Sequence, residues 1–158
     1  MFVVLGVVGG VVWFEWWTPT RGVVIQDTWI LLPQDSGKDF AATGGYILGA
    51  VLLGSIGGVA TAVFVRPATW ALLVAVLGAT VAGLIMAALG HQLGPADPRP
   101  EAAGKADMTR LPGDLRVVGL SPYLAFPTGS LTALAAIYLG VTDRTQSGIR
   151  QVPLSERS

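Results

Sequence analysis

The chain has 158 residues, 52% of them hydrophobic and 13% charged, with a mean hydropathy of +0.61. Soluble chains carry about 25% charged residues, so half the usual charged surface is missing and an integral membrane protein is expected. Ten basic and ten acidic residues cancel, which argues against nucleic acid as a partner; with no cysteine, disulfides, thiolate zinc sites and thiol nucleophiles are excluded.

The predicted fold is an all-α integral membrane protein with four transmembrane helices, at about 1–17, 42–65, 69–93 and 121–141. A hydrocarbon core of about 30 Å takes about 20 apolar residues as helix, and a helix satisfies its own backbone polar groups in lipid. The spans form one domain over 1–142, with extracytoplasmic loops at 18–41 and 95–120 and a polar, disordered cytoplasmic tail at 143–158. No length is left for a separate soluble domain.

In the first span, residues 2–14 carry no charge, and Glu15 and Trp16-Trp17 follow. No basic segment precedes this run and no small-residue cleavage site follows it, so it reads as a retained span rather than a signal peptide. Met1 then lies close to the bilayer, which fits a natural start upstream or a short, tilted span. Gly6 and Gly10 are expected to serve helix packing, and Trp13, Phe14, Trp16 and Trp17 to form an interfacial belt.

In the first loop, Val23-Val24-Ile25 and Trp29-Ile30-Leu31-Leu32 flank Gln26-Asp27-Thr28. Two short β-rich runs around a polar turn predict a small hairpin on the membrane surface, with an extended interfacial linker as the alternative. The second span holds two GxxxG pairs, Gly45/Gly49 and Gly54/Gly58, suited to close packing within the chain, in a homodimer, or against a foreign helix. Arg66-Pro67-Ala68 turns the chain. The third span repeats small residues every four positions (Ala75, Ala79, Gly83, Ala87), a stripe expected to meet the glycines of the second span.

The second loop mixes four acids and four bases with Pro and Gly, and reads as solvated and partly flexible. Pro98 and Pro100 argue against a helix there, whereas 114–118 is suited to a short strand. In the fourth span Pro122 falls near the first turn, and Pro127, further in, is expected to kink the helix. Four spans put both termini on one side. Per unit length that side is denser in Arg and Lys, which assigns it to the cytoplasm.

Few groups could carry chemistry. Glu15, His91, Gln92 and Tyr123 are expected at one interface, with Tyr46. An ionisable residue in a span is a functional candidate, and a carboxylate beside an imidazole could relay a proton or orient a metal ligand. A hydrogen bond between helix ends is the plainer reading. One histidine supplies too few ligands for a metal, and no nucleophile–base pair or phosphate loop is recognisable, so no metal, no cofactor and no catalytic residue are expected.

Several short motifs carry a resemblance: Gly9-Gly10-Val11-Val12-Trp13 followed by Pro19 and Gly22, then Asp39-Phe40, Leu89-Gly90-His91-Gln92-Leu93-Gly94-Pro95, and Leu124-Ala125-Phe126-Pro127. Over nearly its whole length the chain resembles a family of small four-span actinobacterial membrane proteins catalogued as domain of unknown function 2567. The resemblance implies a cell (cytoplasmic) membrane location in a high-GC Gram-positive bacterium and brings no activity with it. The functional expectation is a non-enzymatic accessory or assembly subunit of a larger envelope complex, with lipid and a membrane-protein partner or second copy as neighbours. The alternative is a small transporter or channel component working through Glu15, His91 and the Pro127 kink.

Overall fold

The structure, a computed structural model, describes residues 1–149. It is mostly helical with one small sheet. Helix α1 (Phe2–Trp16) is followed by strands β1 (Arg21–Ile25) and β2 (Thr28–Leu31), and helices α2 (Ser36–Phe64) and α3 (Ala68–Leu93) form a hairpin. A short helix α4 (Pro98–Ala102) and strand β3 (Arg110–Pro112) precede helix α5 (Ala125–Ile149). Three helices, all but α1 and α4, are long and apolar enough to cross a membrane. At 1.5 Å per residue the 15 residues of α1 reach only about 22 Å.

The four long helices associate as two parallel pairs. Down α1, Phe2 meets Gly78, Gly6 meets Ala82, Gly10 meets Met86, and Trp13 meets Gly90, so α1 and α3 run the same way. On the other side Gly54 and Gly58 of α2 lie against the backbone of α5 at Phe126 and Ser130, again in parallel. The buried stripe of α3 therefore has a different mate from the expected one. Ala71 and Ala75 pack with Leu134 of α5, and Gly83 lies beside Phe126, so α5, rather than the α2 glycines, covers much of that stripe.

Outside the bundle the two loops form one unit. β1 and β2 make the expected hairpin, turning through Gln26 and Asp27 at φ 49° and 59°. Two left-handed residues match the twist of a two-residue hairpin turn. β3 adds to the other edge of β1 in antiparallel register, Gly22 opposite Leu111, giving the order β2-β1-β3. The strand lies at 110–112 instead of 114–118 because Leu111 closes a core with Val24, Ala102 and Trp29. The second loop is also better ordered than its composition suggests. Asp107 accepts from the Gln26 amide and Asp27 from the Gly104 amide (both 2.9 Å), which clamps each loop to the tip of the other.

Three further expectations need correction. α4 forms despite Pro98 and Pro100, because prolines in a first turn lack N–H groups that the helix does not use; Asp97 caps it by accepting from Arg99 N. A 3-10 turn occupies Ser121–Leu124 and the α-helix starts at Ala125, so Pro127 falls in the first α-turn, where it is tolerated, and not mid-helix. Finally, the apolar stretch suited to spanning ends at Gly140, as expected, but α5 continues to Ile149, into the tail that was expected to be disordered from residue 143. The rest of that tail, 150–158, lies outside the described residues.

Candidate functional site: a glycine-floored groove beside α1

The centre of the bundle is aromatic. Trp13 was expected in an interfacial belt, yet it is 4% exposed, whereas Trp16 one turn on is 85% exposed. Its indole packs over Gly90, and Nε1 donates to the Ala42 carbonyl at 2.8 Å, tying α1 to α2. The Trp13 ring meets Tyr46 edge-on at 5.3 Å, and Tyr46 in turn lies 6.0 Å from Tyr123. The Tyr46 hydroxyl donates to the Gly83 carbonyl at 2.9 Å, so the buried polar atoms of Trp13 and Tyr46 are both satisfied. The arrangement joins α1, α2, α3 and the start of the fourth span at one level, and gives rigidity, not reactivity.

The proposed polar cluster is not assembled as such. His91 Nδ1 donates to the Leu115 carbonyl at 2.9 Å, pinning the second loop onto the end of α3. Glu15 and Gln92 are exposed and have no hydrogen bond or ion pair among the described residues. Tyr123 lies tilted against Tyr46 and has no hydrogen bond to His91 among the described residues. Asp97, which caps α4, and Glu101 within it each face a base, Arg99 at 3.4 Å and Lys105 at 3.8 Å. Among the described residues no three His, Asp or Glu side chains converge as a metal site would require.

What remains is a space. α1 leans on α3 and leaves a groove of about 950 Å³ between itself and α2. Ala41, Gly44, Gly45 and Gly49 of α2 form the floor, Val8, Val12 and Trp16 of α1 one wall, and Leu48, Leu52 and Ile56 the other. Met86 of α3 closes the bottom, with Trp17, Thr18 and Lys38 at the loop end. Lys38 is held there by an ion pair with Asp35 (2.8 Å), whose other oxygen accepts from the Arg21 amide (2.8 Å).

The glycines divide according to this groove. A Cβ on Gly54 or Gly58 would run into carbonyl oxygens of α5, and one on Gly6 would come within 2.6 Å of the Ala82 carbonyl. Gly10 faces Leu89 and Met86 at 3.0 Å, and Gly83 faces Phe126 and the Tyr46 hydroxyl at 3.3 Å. Gly45 differs: its Cβ would meet only Trp13, at 3.7 Å, while Gly44 would meet nothing and Gly49 only the mobile end of Met86 at 3.1 Å. Two GxxxG pairs on one helix thus have different surroundings. Nothing in their spacing separates them, and spacing also passes over Gly57 and Gly78, which hold Phe2, and Gly90, which holds Trp13. Bulky rings seated on distant glycines leave no local signature.

Comparison with protein-family models, curated proteins and solved structures finds no match for this chain.

Proposed function

We propose that this protein is a non-enzymatic accessory or assembly subunit of a larger membrane complex of the cell envelope. In this reading all four long helices span the cytoplasmic membrane, both termini are cytoplasmic, and the clamped loops form a cap outside. The observation that carries it is the groove: a concave apolar surface in the membrane, floored by Gly44, Gly45 and Gly49, that the chain's own helices leave unfilled. Close helix approach over small residues is how helices associate in lipid, where burying apolar surface against a helix gains little over lipid tails. A rigid aromatic centre and an interlocked cap suit a part that presents surfaces. α1, too short to span without local thinning of the bilayer or snorkelling at its ends, is stabilised in place by its contacts along α3 and by Trp13. Transport has less support, since Thr128 bonds back to the Leu124 carbonyl and Pro127 opens no gap in the helix.

Purification of tagged protein from its own membranes in mild detergent, with mass spectrometry of what stays bound, tests the reading. A stoichiometric companion protein that is lost with Gly45→Leu is the expected result. A lone monomer, or a homo-oligomer with no other protein bound, would overturn it.

A further inference from the structure

Resting on the reading of the long helices as membrane spans, we propose that the uncovered face of the three-stranded sheet lies against the phospholipid surface on which the cap stands, Arg21 and Arg110 holding lipid phosphates while Ile25 and Ile30 dip between the headgroups. The strand register sets two faces. Val24, Trp29 and Leu111 share one of them and pack with Ala102 of α4, which closes it. On the other, Val23 stands opposite Ile30, Ile25 follows along β1, and Arg110 lies across from Val23. The solvated face of an antiparallel sheet ordinarily alternates to polar residues. This one keeps three contiguous apolar side chains instead, with Ile25 and Ile30 40% and 45% exposed. A sheet that is apolar on both sides calls for a second cover.

Charge and depth identify that cover. Of the six bases in the two loops, Lys38, Arg99, Lys105 and Arg116 each have a carboxylate within ion-pair distance. Arg21 and Arg110 have none among the described residues, and they are diagonal neighbours on the uncovered face, since Arg21 is paired with Pro112. The field of Asp35 reaches Arg21, but that carboxylate is taken by Lys38 and by the Arg21 amide. Asp27 and Asp107 are spent on backbone amides at the far tip, and no acid stands among the paired residues of this face. Diagonal partners lie about 7–8 Å apart, so two guanidinium groups there repel unless an anion joins them, and a phosphate accepts from both. Depth follows from Asp35, the residue before α2, whose carboxylate holds the Arg21 amide at 2.8 Å. At 1.5 Å per residue it stands about 7 Å beyond Phe40, where the charge-free run of α2 begins. The polar layer outside the hydrocarbon is about 5–7 Å deep on each side, so the sheet starts at the level of the lipid phosphates.

The chain has no cysteine, so a single introduced thiol can carry a fluorescent probe. Full-length Ile30→Cys, labelled there, is placed in nanodiscs of mixed phosphatidylglycerol and phosphatidylcholine bearing a nitroxide on the lipid headgroup. Strong quenching is expected, with little at Lys105→Cys, an exposed position just past α4 on the covered side. An arginine near an anionic surface contributes about a fivefold bias, so Arg21→Gln with Arg110→Gln should lower the docked-to-free ratio by at least about tenfold, with helix content unchanged. Ile25→Ser should lower it as well. Equal quenching at 30 and 105, none at 30, or quenching that survives loss of both arginines would overturn the proposal. So would shielding of position 30 that appears only when a protein from the native membranes is bound, which would make the face a protein contact. A probe at Leu52→Cys, on the exposed side of α2, with a nitroxide deep on the acyl chain reads the spans separately. Quenching at 52 without quenching at 30 leaves the spans standing and sinks this proposal, and no quenching at 52 sinks both.

Discussion

Gly45 and Gly58 each belong to one of the two GxxxG pairs of α2, and the same substitution should have opposite effects at them. In Gly58→Ala the new methyl would overlap the Ser130 carbonyl, a backbone group that cannot rotate away, so α5 has to shift. Overpacking of this kind costs about 1–3 kcal/mol. Replacing glycine by alanine within a helix returns about 1 kcal/mol, which leaves a net loss of up to about 2 kcal/mol. In Gly45→Ala the methyl meets Trp13 at 3.7 Å, ordinary contact, so only the gain applies within one copy. The propensity contribution is common to both, and the difference between the variants isolates the clash at about 1–3 kcal/mol. Unfolding by sodium dodecyl sulfate in mixed micelles, dilute enough to keep the protein monomeric and followed by tryptophan fluorescence, measures it. Equal midpoints, or a Gly58→Ala variant more stable than Gly45→Ala, would refute the assignment of the Gly58 pair to α5 and of the Gly45 pair to an open face.

Further outcomes follow from the same geometry. Tyr46→Phe removes the hydroxyl bond to Gly83 and should cost about 0.5–1.5 kcal/mol, and a double-mutant cycle of Tyr46→Leu with Trp13→Leu should reveal coupling through the edge-on ring contact. Ser130 Oγ is buried with no hydrogen-bond partner among the described residues, so Ser130→Ala should be neutral or stabilising by up to about 1 kcal/mol in the same titration. Asp107→Ala frees the Gln26 amide at a left-handed turn residue; faster hydrogen exchange across 21–31 and 104–112, with the helices unaffected, is expected.

The three long apolar helices were legible in the sequence because hydropathy over 20 residues is a local quantity, and so was the β1–β2 hairpin, whose runs lie side by side in the chain. What escaped reading depends on contacts between distant segments. β3 pairs with β1 across some 90 residues, and only the burial of Leu111 against Val24 decides that 110–112, not 114–118, is the strand. Pro98, Pro100 and Pro127 were read as breakers or kinks because the sequence does not say where a helix begins, and each falls in a first turn. Trp13 looks like its neighbours Trp16 and Trp17 in sequence. Its burial follows from the helical phase that points it at Gly90 and Ala42. Glu15 and His91 lie near helix ends but do not meet: His91 is spent on Leu115, and Glu15 has no hydrogen bond or ion pair among the described residues.

The account depends on four spans with a single cap outside, and its weakest link by length is α1. Labelling of single cysteines in intact cells with a membrane-impermeant maleimide tests this most directly, using Gly37→Cys, Lys105→Cys, Ala68→Cys and an N-terminal cysteine tag. Gly37 has open space around its Cβ, and Lys105 and Ala68 are exposed. Labelling at 37 and 105 from outside, with 68 and the N-terminus reached only after permeabilisation, is the predicted result. An N-terminus labelled from outside alongside 37 and 105 would mean that α1 does not cross, and would contradict the account.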